Sequence, residues 1–134
     1  MFVPMDGSTT RYEMYCYKYF PNGGPWQQNL QNCASIGTQL LTIHDGQQET
    51  DILNFVRSIQ GGSIAHVWIG LKKSSGTWGW SDGTAVTYLG FLPGEPSNAG
   101  NCAAIQSFTD PSGWVALDCT TALPYICYHD ALSK

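Results

Sequence analysis

Oxygen donors gather in one short run of this chain, Gly94-Glu95-Pro96-Ser97-Asn98 followed by Asn101. One further carboxylate, Asp118, stands in Trp114-Val115-Ala116-Leu117-Asp118-Cys119. Carboxylates, amides, hydroxyls and carbonyls are what a hard divalent cation takes, about six to eight of them for calcium. Glu95, Ser97, Asn101 and Asp118 are the candidate metal ligands, and the set falls short of that number. Tight calcium binding is therefore not expected, nor is any other cofactor; calcium held by these non-standard ligands is the alternative. The same run, Glu95, Pro96, Ser97, Asn98 and Asn101, together with Trp78, is the candidate ligand-binding surface. Trp78 is flanked by Gly76, Thr77 and Gly79, and an indole among small residues can stack on a sugar face or fill a pocket of a partner.

Other chemistries have little support. His44, His66 and His129 are isolated from further ligands at helical spacing. Neither a Gly-x-Ser-x-Gly elbow nor a phosphate loop is present, so no enzyme is expected. Five cysteines, at 16, 33, 102, 119 and 127, include no Cys-x-x-Cys pair and no nearby histidine, which disfavours zinc and favours a disulfide framework. Four cysteines allow three connectivities. Cys102 and Cys119 flank a glycine-containing turn and can join neighbouring strands, leaving Cys33 and Cys127 to tie the ends. Cys16 is left over, either as a buried free thiol or as an interchain link that makes a homodimer.

The frame that must position these groups is small. At 134 residues the chain is one domain, and 43% hydrophobic with 13% aromatic content is ample for a core. Only 12% of residues are charged, about half the usual share, while 15 glycines and five tryptophans are many. That composition fits a compact extracellular module. A net charge of −4 with six Lys and Arg excludes a nucleic-acid binder, which needs clustered positive charge. No apolar run reaches the length of a membrane span, and the first residues lack the pattern of a leader. The expectation is a secreted domain whose signal has been removed, with Met1 an added initiator.

Along the chain, Tyr15, Tyr17 and Tyr19 alternate with Cys16, Lys18 and Phe20 as in a strand. Pro25 suits the first position of a helix, on which Trp26, Leu30, Cys33 and Ala34 make an apolar stripe that Gly37 closes. Asp45 with Gln48 three residues on reads as a capping box, and Glu49 and Asp51 favour the positive end of the helix dipole. Ile52, Leu53, Val56 and Ile59 form the buried stripe of this second helix, ended by Gly61-Gly62. Strands are expected at 67–71, around Trp78-Gly79-Trp80, and at 85–89, 102–108, 114–117 and 125–128. A long irregular stretch runs from about 89 to 101. Helices first and strands afterwards point to an α+β fold with a mostly antiparallel sheet, and loops of that length are usually functional.

The order of these motifs resembles the C-type lectin-like domain over residues 12–128. The matching pieces are Cys16-Tyr17-Lys18, the helix bearing Cys33, Leu40-Leu41-Thr42-Ile43, Trp68-Ile69-Gly70-Leu71, Trp80-Ser81-Asp82-Gly83-Thr84, Gly94-Glu95-Pro96, Cys102, Trp114 with Cys119, and Tyr125-Ile126-Cys127. The resemblance implies a C-type lectin fold of two helices and two small mostly antiparallel sheets. It divides the chain into an extension at 1–11, the domain at 12–129 and a tail at 130–134. It also implies disulfides 33–127 and 102–119, and sets Cys16 as half of an extra pair whose partner falls near Met5, where no cysteine stands.

In sugar-binding members the main calcium ion is held by Glu and Asn of a Glu-Pro-Asn tripeptide, by a Glu before the third conserved cysteine, and by Asn and Asp after the conserved tryptophan. Here Glu95 is kept, Ser97 replaces the amide, Gly100 stands for the second Glu, and Val115 and Ala116 stand for Asn and Asp. The bond before this proline is often cis in the family, and the sequence leaves its isomer open. A secondary calcium site of the family falls on Leu71-Lys72-Lys73-Ser74, where two ammonium groups oppose a cation. The expected function is recognition of a glycan or an extracellular protein through the loop around 89–101, with Trp68 and Trp114 in the core.

Overall fold

The computed structural model describes residues 3–4, 15–61, 65–109 and 111–130. The expectations for Met1, Met5, Gly62 and the last residues of the tail lie outside the described residues. Two helices, α1 (Trp26–Ser35) and α2 (Gly46–Gln60), stand among strands β1 (Val3–Pro4), β2 (Tyr15–Phe20), β3 (Gln39–Leu40), β4 (Val67–Ser74), β5 (Thr77–Trp80), β6 (Cys102–Gln106), β7 (Gly113–Leu117) and β8 (Tyr125–Asp130). The order across the sheet is β1-β2-β8-β4-β6-β7, with β3 pairing β8 and β5 pairing β4. Two small sheets were expected. A single parallel pair, Trp68↔Tyr125 between β4 and β8, joins them into one, and the remaining pairs are antiparallel.

α2 starts where the capping residues place it. The Gln48 amide donates to Asp45 Oδ1 at 2.8 Å, which satisfies one of the orphan donors of the first turn. The Gln48 side chain reaches past the cap. Its Oε1 accepts from the His44 amide at 2.8 Å and its Nε2 donates to the Thr42 carbonyl at 2.8 Å, so the residue ties the approach of the chain as well as the helix. Ile52 and Val56 are buried, but Ile59, expected in the same stripe, is exposed. Gly61 ends the helix at φ 60°.

In α1, Pro25 is the N-cap itself, one residue before the position expected. The buried face is Trp26, Asn29 and Cys33, and Ala34 is exposed. The burial of Asn29 goes against its type and has a polar cause. Its Oδ1 accepts from the Gly24 amide at 2.9 Å, and its Nδ2 donates to the carbonyls of Gly24 and Leu123 at 3.0 and 3.4 Å. A buried amide with those partners keeps its hydrogen bonds, and it fastens the start of α1 to the segment leading into β8.

Both faces of the central strands are covered, and side-chain alternation sorts them. Val67, Ile69 and Leu71 of β4, Ala103 and Ile105 of β6, Trp114 and Ile126 pack with Ile52 and Val56 of α2 in the larger cluster. Trp68, Cys102, Ala104, Tyr125 and Cys127 pack with Trp26, Cys33 and Leu40 in the other. Disulfides Cys33–Cys127 and Cys102–Cys119 form as the resemblance implied, closing separations of 94 and 17 residues. Cys16 is free and half-buried.

One expected strand is absent. Residues 85–89 form no strand, and the irregular stretch begins near Ser81. The alternation there is real, but no neighbouring strand receives it. Val86 and Leu89 stay exposed while the Tyr88 and Phe91 rings turn edge-on to Trp114, at 5.9 and 5.6 Å between centroids.

Candidate functional site

Trp114 is the post to which the long loop is tied. It is buried on β7, its amide donates to the Gly90 carbonyl at 2.8 Å, and its carbonyl accepts from the Leu92 amide at 3.0 Å. Its indole Nε1–H donates to Glu49 Oε1 on the first turn of α2 at 2.8 Å. Glu49 is buried, whereas the sequence offered it only as an acidic residue serving the helix dipole. Burial pushes its carboxyl up to about 7, against the opposing pull of the Trp114 hydrogen bond. The Tyr88 hydroxyl is also raised, first by burial and then by the negative charges of Glu49 and Asp45.

Past the post, Gly94 turns the chain at φ 86° and the Glu95–Pro96 bond is cis. Glu95 Oε1 accepts from two backbone amides, Ser97 and Ala116, each at 2.9 Å. The carboxylate therefore acts as a clasp between the loop and β7. Ser97 Oγ accepts from the Ala99 amide at 3.2 Å. Gly100 then presses on the end of β7: a Cβ built there would overlap the Leu117 carbonyl and meet the Asp118 amide nitrogen. Asn98 and Asn101 are exposed, and the Asn101 carbonyl accepts from the Lys73 amide at 2.7 Å. Asp118 Oδ1 accepts from the amide and the hydroxyl of Thr120 at 2.8 and 2.7 Å, and these bonds hold its carboxyl below the ordinary value.

A calcium ion finds a poor fit among these residues. Glu95 and Ser97 are brought together, but Glu95 Oε1 and Ser97 Oγ accept from backbone amides. Asp118 is closed into its own turn, and the Asn101 carbonyl is taken by the Lys73 amide. The position of the second family carboxylate, Gly100, has no room for a side chain. Val115 and Ala116 present buried apolar groups where the remaining ligands belong. Among the described residues no group of three or more His, Cys, Asp and Glu is placed to hold a metal.

Trp78 is half-buried rather than free-standing. Its ring meets Phe91 edge-on at 5.2 Å, so the loop props the indole and leaves part of it at the surface. Trp68 and Trp114 lie in the core as expected. His44 rests edge-on against Trp80 at 5.8 Å and His66 against Phe108 at 5.3 Å. Neither joins a group of ligands.

The chain matches the family model described as Lectin C-type domain over residues 22–129. It is 32% identical over 141 residues to C-type lectin 1 of Hydrophis hardwickii, a match covering 100% of this chain and 84% of that protein. It is 35% identical over 118 residues to the secretory phospholipase A2 receptor of Homo sapiens, covering 84% of this chain but only 8% of the length of that receptor. The fold matches human lithostathine with a TM-score of 0.81 at 24% identity, covering 93% of this chain and 98% of that one.

Proposed function

The chain belongs to the C-type lectin domain family, and from that premise we propose that it is a secreted recognition module, binding a glycan or an extracellular protein through the loop around 89–101 without a tight calcium site. The observation that carries this reading is the occupation of Glu95. Its Oε1 accepts two backbone amides, so the loop has an internal fastening where calcium-dependent relatives of the resemblance use an ion. Affinity for calcium falls as charged ligands are lost, and of the remaining candidates Ser97 and Asp118 have oxygens bonded in local turns. The proposal includes no catalytic role and no cofactor. What the loop offers a partner is the exposed Leu89, Asn98 and Asn101 and the open part of Trp78, an apolar and amide-bearing surface with little charge. Among the described residues no helix is long and apolar enough to cross a membrane.

A glycan array probed with the domain, once in calcium and once in excess chelator, tests the reading. The expected result is the same set of bound glycans, with unchanged intensity, in both conditions. Elution of all bound glycans by the chelator would instead establish a calcium-dependent lectin with non-standard ligands.

A further inference from the structure

The pair Lys72-Lys73 ends the apolar run of β4, and alternation sends the two ammonium groups to opposite faces. Lys72 continues the row of Trp68 and lies over the Trp26 ring at 5.3 Å. Lys73 continues the row of Val67, Ile69 and Leu71, whose neighbours form the larger cluster. The other cations among the described residues are engaged: Lys18 lies over Phe20 at 5.2 Å, and Arg57 donates to the Ser107 carbonyl and the Ser112 hydroxyl at 3.3 and 2.9 Å. Lys73 alone among them meets no acceptor and no ring.

Its surroundings are set by register. Lys73 pairs with Trp78 across the β4–β5 hairpin, and directly opposed residues of an antiparallel pair share a face. On the other side Lys72 pairs with Cys102, and the Lys73 amide bonds to the Asn101 carbonyl at 2.7 Å. Asn101 is thus the next neighbour, about 5 Å away at ordinary strand spacing. Glu95, the carboxylate of the adjoining loop, is turned to the amides of Ser97 and Ala116. Asp118, bound to Thr120, follows Leu117, the partner of Cys102, and so lies one strand beyond Asn101. Neither carboxylate pairs with Lys73, so an anion is best placed over Lys73 between its two register neighbours, Trp78 and Asn101.

Resting on the reading that the loop binds a glycan, we propose that Lys73 and Asn101, beside Trp78, form a subsite for an anionic substituent of a sugar ring, a sulfate or a carboxylate. The ammonium supplies three donors and the Asn101 amide two more. An oxyanion accepts all of them, and charge-assisted bonds are the stronger kind. The indole, held by Phe91 at 5.2 Å, supplies a flat apolar face for the ring that carries the anion. With a net charge of −4 the protein does not attract anions in general, so the preference is local.

Calorimetric titration in chelator with sulfated lactose, unsulfated lactose and a sulfotyrosine peptide tests the subsite on the wild type, Lys73→Gln and Lys72→Gln. The wild type is expected to bind sulfated lactose roughly tenfold tighter than unsulfated lactose, a preference that shrinks as salt is added. Lys73→Gln binds both sugars alike, at the affinity of the unsulfated one, while Lys72→Gln keeps the preference. Equal binding of the two sugars by the wild type, or a preference that survives in Lys73→Gln, overturns the subsite and leaves the glycan reading standing. Binding of neither sugar overturns the subsite, and binding of no glycan on the array overturns the glycan reading with it. A sulfotyrosine peptide that binds tighter than sulfated lactose overturns the assignment to a sugar.

Discussion

Replacing Gly100 by glutamate, the ligand type that the resemblance puts there, is expected to lower the melting temperature by roughly 10 °C and to create no calcium site. A Cβ on Gly100 would overlap the Leu117 carbonyl. Leu117 cannot retreat, because it pairs with Cys102 on β6, and Cys102 is in turn bonded to Cys119 two residues beyond it. The strain must be relieved by moving the loop, which pulls Glu95 from the Ala116 amide. Overpacking of this kind costs about 2–3 kcal/mol. Gly79→Glu is the control: a Cβ there meets nothing within 4 Å, so its effect should stay within about 0.5 kcal/mol. Scanning calorimetry with and without millimolar calcium reads both variants. A Gly100→Glu protein that melts like the wild type, or that gains stability from calcium, would show the loop to be open where we describe it as closed.

The second large effect concerns Glu49. Burial pushes its carboxyl up to about 7 in the folded protein from the ordinary value of 4.5, so between those limits the native state holds a proton that the unfolded chain has released. Stability then falls as pH rises through this window and is lowest above it. The full difference is about 3 kcal/mol. Glu49→Gln keeps an acceptor for the Trp114 indole and removes the charge. It should abolish most of the slope and make the protein more stable than wild type at pH 8, with little change at pH 5. Urea unfolding at the two pH values measures this directly. A wild-type profile that is flat or rises from pH 5 to 8, or an unchanged slope in Glu49→Gln, would refute the assignment. Because Trp114 holds Gly90 and Leu92 through its backbone, the same titration is expected to loosen the root of the long loop.

What could be read in advance was what depends on local chemistry. Asp45 and Gln48 marked the start of α2, Gly61 its end, and the order of cysteines and tryptophans matched the family fold. The failures share a cause, which is contact across long separations. Residues 85–89 alternate like a strand, yet nothing local says that Tyr88 is drawn to Trp114. Ala34 and Ile59 fit a helical period but are exposed, since the period says which residues share a face and not how far the core extends along it. Glu49 looked like a dipole charge because its partner is 65 residues away.

The site was legible in the same uneven way. The missing ligands at Gly100, Val115 and Ala116 could be read one by one, and the thinning of the calcium set followed. That Gly100 is packed shut, and that Glu95 is spent on two amides, required the register of the loop against β7. The parity of Lys72 and Lys73 was present in the sequence. The two-residue turn Ser75-Gly76, with φ of 51° and 80°, carries the hairpin signal that would have set Lys73 opposite Trp78.

The most direct test of recognition without calcium is a calorimetric titration of calcium into the chelator-stripped domain, alone and with a bound glycan. No heat beyond dilution is expected at micromolar calcium, and no effect of the glycan. A sub-millimolar site that tightens when the glycan is present would contradict it.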